Sequence, residues 1–223
     1  MRVRIATTAL GITAALLAVP ACSTDTTGST HQTSSSRTGQ PTGAAHEPAA
    51  LTSAGLESRL LDPSDLGRGY LPKPARTAQH EHVTVIGCPA LSALGGAATG
   101  GTLTFPNNAK ADFTYGNSSS DVSEELYSDS VEQLSRGIDR IFDAMTGCPN
   151  YQVVAGGTPV EVTSQKLPAP HVGGDQQWSQ LLTFTAQGRS SVVKQTAVRD
   201  GNLLLIVSGA PVLVDRRLGR ALA

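Results

Sequence analysis

Three apolar and β-branched runs near the C-terminus, Trp178–Gln187, Ser190–Arg199 and Asn202–Ser208, are separated only by Gly188-Arg189 and Asp200-Gly201. Gaps this short join antiparallel neighbours and exclude parallel crossovers, which need about a dozen residues or more. The spacing predicts a three-strand meander. Within it, Leu203 to Val207 is continuously apolar, as a strand covered on both faces would be. It is therefore expected to be the central or most buried strand.

The residues before the meander supply further strands and the helices to cover them. Tyr151–Ala155 and Val160–Ser164 read as strands, and His82–Gly87 as extended chain. Thr102–Phe105 and Ala111–Tyr115 read as a strand pair turning at Pro106-Asn107-Asn108. Val122, Leu126, Leu134, Ile138, Ile141, Phe142 and Met145 recur at helical spacing and predict one long helix from about Asp121 to Thr146. Asp121 with Glu124 three residues later has the pattern of a capping box, and Gly147-Cys148-Pro149 stops the run. Leu56, Leu60 and Leu61 followed by Asp62-Pro63 predict a broken helix ending near Gly67 or Gly69. Pro89–Leu94 reads as a short helix opened by proline, and Pro211 starts a last one through Leu222. The expected fold is α+β: one domain over 53–223, an antiparallel sheet packed by one long helix and shorter ones.

The N-terminus reads as an export and anchoring signal. Arg2 and Arg4 precede an uncharged Ala/Leu-rich run from Ile5 to Val19. As a helix it would be about 22 Å long, short of a hydrocarbon core of roughly 30 Å. Residues 1–21 are thus expected to be a signal peptide. Val19-Pro20-Ala21-Cys22-Ser23 resembles the lipobox of bacterial lipoproteins, in which the cysteine is acylated and becomes the mature N-terminus. Residues 22–52 then form a tether. From Ser23 to Thr42, 12 of the 20 residues are Ser or Thr, too little apolar surface to offset ordering entropy. The chain is expected at the outer face of the cytoplasmic membrane, held there by its lipid.

Cysteine usage agrees with export. Lipidation of Cys22 leaves Cys88 and Cys148 as an even pair, each in a Gly-Cys-Pro setting. Their disulfide would close a loop of about 60 residues, worth roughly 4 kcal/mol in the chain-entropy estimate. Charged residues make up 16% of the chain and the net charge is −1. No basic excess exists to neutralise phosphates, so nucleic acid is not an expected partner.

Candidate chemistry is sparse. His80-Glu81-His82 puts two imidazoles on one face of an extended segment, yet no third ligand is placed, and no metal or cofactor is expected. Gly95–Gly101 is not a phosphate loop, because no Gly-Lys-Ser/Thr follows. No nucleophile elbow or zinc-protease motif occurs. Asp62 with Asp65, and Glu124 with Glu125, read as carboxylates complementing helix starts. Trp178 alternates with Leu182 and Phe184 and reads as a core residue. Two glycine-bearing loops, Gly95–Gly101 and Pro168–Gly174, are candidates for the rim of a pocket, with Gly95, Gly101, His171 and Gly174 at its edge.

Leu60-Leu61-Asp62-Pro63-Ser64-Asp65-Leu66-Gly67-Arg68-Gly69-Tyr70 resembles the opening of actinobacterial exported sensor-domain proteins. The later order is similar too: a Gly-Cys-Pro strand end, a helix ending at Gly-Cys-Pro, and Gly173-Gly174-Asp175 ahead of the terminal meander. Residues 53–210 thus resemble the extracellular sensor domain of PknH-type mycobacterial kinases, with one cysteine pair where the kinase domain has two bridges. The resemblance implies a disulfide-bonded domain with a ligand cleft. The expected function is a non-catalytic binding or sensing module for an unknown small molecule, lipid or envelope component. The alternative is a cell-envelope hydrolase whose catalytic residues meet only in the fold.

Overall fold

The computed structural model describes residues 49–74, 83–95, 105–116, 120–155 and 157–221. The signal peptide, Cys22, the tether up to residue 48, His80, His82 and Gly101 lie outside the described residues. So do residues 102–104 of the strand expected over Thr102–Phe105, and Phe105 itself belongs to no strand. Residues from Ala45 onward form one unit.

Among the described residues nine strands form one antiparallel sheet. In chain order they are β1 (Tyr70–Lys73), β2 (Thr84–Ile86), β3 (Asn107–Tyr115), β4 (Asp121–Ser128), β5 (Asn150–Ala155), β6 (Thr158–Lys166), β7 (Gln176–Ala186), β8 (Arg189–Asp200) and β9 (Leu203–Gly209). Their spatial order is β1-β3-β4-β9-β8-β7-β6-β5-β2. The meander is present as β7, β8 and β9, with its turns one residue from the expected positions. Gln187 and Gly188 have φ of 51° and 73°, the positive pair that a type I′ hairpin requires. Asp200 ends β8, and Gly201, at φ 53°, makes the second turn with Asn202.

Among the described residues the helices are α1 (Ser53–Glu57), α2 (Pro63–Leu66), α3 (Pro89–Ser92), α4 (Val131–Gly147) and α5 (Pro211–Ala221). The broken helix is α1 and α2. Thr52 Oγ1 caps α1 by accepting from the Gly55 amide. Asp62 and Asp65 form a reciprocal capping box on α2. The Ser64 hydroxyl, first, and two backbone amides hold the Asp62 carboxyl below its usual pKa.

Two expectations are corrected. The long helix does not begin at Asp121: Asp121–Ser128 is β4, and α4 starts at Val131 after a cap in which Ser130 Oγ accepts from the Gln133 amide. Val122 and Leu126 are four apart, a helical spacing, but they are also even positions of a period-two strand. Pairing with β3 and β9 on both sides decides the matter. Likewise Asn107 and Asn108 are not a turn but the start of β3, which runs through to Tyr115 and pairs with β1 and β4.

Helices cover both faces of the sheet. On one, Leu134, Ile138 and Phe142 of α4 pack on Tyr127, Ala197, Leu204 and Ile206. That layer continues through Met145 and Ala144 to Leu91, Tyr151, Val162 and Leu182. On the other face, Leu56, Leu66, Leu213, Val214 and Leu218 from α1, α2 and α5 pack on Phe113, Val122, Leu126, Val198, Leu205 and Val207. β9 is buried from both sides, as its unbroken apolar run requires.

Cys88 caps the start of α3 and Cys148 the end of α4. Their disulfide, with Cα atoms 5.7 Å apart, ties the two helices together at the β2–β5 margin. Replacing both cysteines by serine is expected to lower stability by about 4 kcal/mol, measured by denaturant unfolding against the oxidised parent. Gly209, at φ 150°, lies opposite Val122 at the end of β9, where an added Cβ would come within 2.3 Å of the Asp121 carbonyl oxygen. Gly209→Ala is expected to cost about 2 kcal/mol or more, visible as a lowered unfolding midpoint with an unchanged denaturant slope.

Candidate functional site

The ladder registers reveal a feature that crosses the strands. On the α4 face, Lys73, Asp112, Ser123, Ser208, Gln195, Gln180 and Lys166 are successive cross-strand partners from β1 through to β6. A polar side chain thus stands at every position of one row, on the face whose centre is the apolar layer under α4. The adjoining row begins with Lys110 and Glu125 before turning apolar at Ile206 and Ala197. α4 closes one end, where the fully buried Gln180 donates to Met145 Sδ (3.3 Å) and to Gln195 Oε1 (2.7 Å). Ser164 Oγ donates to Gln180 Oε1. From Lys73 to Gln195 the row spans four strand spacings, about 19 Å. We call this the polar shelf.

Its charged end is internally paired. Lys110 Nζ lies 2.9 Å from Glu125 Oε1 and 3.7 Å from Asp112, and Tyr127 Oη donates to Glu125 Oε2 at 2.5 Å. Burial works against the Lys110 ammonium, but Glu125 and Asp112 outweigh it and its pKa is raised. Lys73 pairs with Asp121. Five charges therefore sum to −1, with both ammonium groups engaged. Trp178, in the Ala197 row, packs near Phe142 with ring centroids 6.2 Å apart and donates its indole N–H to Asp139.

Glu124 and Glu125 do not serve a helix start. They alternate on β4, so Glu125 joins the shelf while Glu124 enters the opposite layer, where it is 3% exposed. Its Oε2 accepts the Leu61 amide at 2.7 Å. Desolvation pushes its pKa up to about 7, helped by Asp65 and opposed by the Leu61 bond. No short-range signal marked this residue as buried, because the strand identity of 121–128 had to be known first.

Of the expected rim residues, Gly95, His171 and Gly174 are described. Gly95 lies just past α3, next to Leu94, which joins the disulfide-side cluster. Gly174 presses against Val198 and the Arg199 carbonyl, and its neighbour Val172 joins the cluster on the other face. Arg199, 6% exposed, fastens that loop through Asp175 (2.9 Å) and Gln176 (2.6 Å) and also reaches the Gly201 carbonyl. The Gly201 amide, first, and the Arg199 guanidinium hold the Asp175 carboxyl below its usual pKa. His171 is exposed in the same loop. Among the described residues, no three His, Cys, Asp or Glu side chains gather as a metal site.

No protein-family model matches the chain, and no curated protein matches it.

Because the folded pKa of Glu124 is raised, the fold favours its protonated form. That contribution is full below about pH 4.5 and is lost as pH rises through about 7. Glu124→Gln is expected to abolish a fall in unfolding free energy on the order of 3 kcal/mol across this window, as measured by urea titrations at stepped pH.

Proposed function

We propose that the chain is an exported lipoprotein, acylated at Cys22, whose folded unit binds a ligand on the polar shelf without transforming it. Arg2, Arg4, the apolar run to Val19 and the small residues before Cys22 support the anchor. Residues 53–210, resembling PknH-type sensor domains, support a sensing role. The observation that carries the binding reading is the paired state of the shelf. Glu125 is engaged by both Lys110 and Tyr127, and Lys110 by two carboxylates. Its two carboxylate neighbours hold Lys110 in the ammonium form, whereas a general acid or base works best with a pKa near the operating pH. The shelf is built for recognition.

Cys22→Ser is expected to move the protein from the membrane fraction to the soluble one. Unchanged fractionation, or a mature wild-type mass without acyl chains, would contradict the anchor. Peptidoglycan, ester and phosphoester substrates are expected to show no turnover above a Cys88→Ser/Cys148→Ser control. Native mass spectrometry of protein released from its own membranes is expected to show a retained species that Lys110→Ala/Glu125→Ala loses. Turnover abolished by one Ser, Asp or Glu substitution on the fold would replace the binding reading with that of an envelope hydrolase.

A further inference from the structure

We infer that the polar shelf takes a neutral, polyhydroxylated ligand of the saccharide class, laid across the strands between Asp112 and Gln195. This rests on the binding reading above and adds the chemistry of the ligand. Ser123, Ser208 and Gln195 stand side by side on β4, β9 and β8, half-buried and about one strand spacing apart. Among the described residues, Ser123 Oγ, Ser208 Oγ and Gln195 Nε2 have no protein hydrogen-bond partner. Gln195 Oε1 is already taken by Gln180, so its free amide group can only donate, while each serine hydroxyl both donates and accepts. A ligand that satisfies all three must offer acceptors and donors at short intervals, which is the property of a chain of hydroxyl groups.

Other ligand classes fit worse. Between Asp112 and Gln195 an anion would find the two nearest ammonium groups already committed, Lys110 to Glu125 and Asp112 and Lys73 to Asp121, while Lys166 stands at the far end of the row beyond Gln180. An apolar ligand would strip water from the three free groups and replace none of their hydrogen bonds. An extended peptide gains its affinity by adding to a free sheet edge. Here β4, β9 and β8 are interior strands, paired on both sides. A neutral saccharide matches the hydrogen-bonding groups and the charge together.

The test is a nuclear magnetic resonance titration of the ¹⁵N-labelled full chain in detergent. It follows the Gln195 side-chain amide and the backbone amides of Ser123 and Ser208. The probes are neutral trisaccharides of hexose and of N-acetylhexosamine, inorganic phosphate, and phosphatidylglycerol vesicles. At least one trisaccharide is expected to shift these three signals saturably, with phosphate and vesicles silent there. Gln195→Leu and Ser208→Val are each expected to weaken that saccharide at least tenfold, and Thr183→Val on the opposite face to leave it unchanged. Shift mapping on the unaltered chain decides the question even if a variant fails to fold. Shifts of the row by phosphate or vesicles in place of saccharide overturn the saccharide class and leave the shelf a binding surface. Shifts produced only by a non-saccharide species recovered from native membranes do the same. Silence of the row toward every probe and the membrane extract overturns both the ligand class and the binding reading.

Discussion

The ladder between β4, β9 and β8 is the constraint on which the remaining structure depends. β9 contributes Leu204 and Ile206 to one layer and Leu205 and Val207 to the other, all nearly inaccessible to solvent. A strand buried on both faces has no polar side, so both of its hydrogen-bonding edges must be paired within the sheet. β8 fills one edge through a tight turn. The other edge is filled by β4, a segment about 75 positions earlier in the chain, whose own alternation puts Leu126 into one layer and Tyr127 into the other. Once β4 is set, α4 can begin only two residues later, and it is delivered onto the face that carries Tyr127.

What the sequence made legible follows from how local each determinant is. The meander depends on turns of two residues, so its strands could be read directly, with an error of one residue at each turn. The caps of α2 and the proline that opens α3 are equally local. The stretch 121–128 was illegible for a definite reason. Val122 and Leu126 satisfy both periods, and Asp121 with Glu124 imitates a helix cap, while the true cap at Ser130 lies within what reads as a continuous helix. Only the distant partners Asn107–Thr114 and Leu203–Gly209 resolve the ambiguity.

The candidate site was illegible for the opposite reason: it has no local pattern at all. Asp112, Ser123, Gln195 and Ser208 belong to four strands, and nothing in the chain around Ser208 distinguishes it from any serine after an apolar run. Loop glycines attracted attention because loops so often carry function. Yet Gly174 is packed against β8, held there by the Arg199 bonds, and the polar row lies on regular strands. A ladder register converts four unremarkable residues into neighbours, and registers are set by pairings that no short window contains.

The way the chain enters the sheet has a mechanical consequence. The Ala49 carbonyl is held by Asn202 Nδ2 (2.6 Å), the Leu51 amide by Ser128 Oγ (2.9 Å), and Ser53 Oγ accepts from the Asn108 amide (3.2 Å). Residues 49–53 belong to no strand, so a pull along the chain from its N-terminal side does not load the ladder in shear. It meets single side-chain bonds one after another, first at Asn202, then at Ser128, then at the start of α1. Bonds loaded in sequence give way at far lower force than the same number loaded together. Residues 49–53 therefore give way under such a pull before the paired strands carry tension, and the peeling stops where the buried Leu56 and Leu66 enter the core.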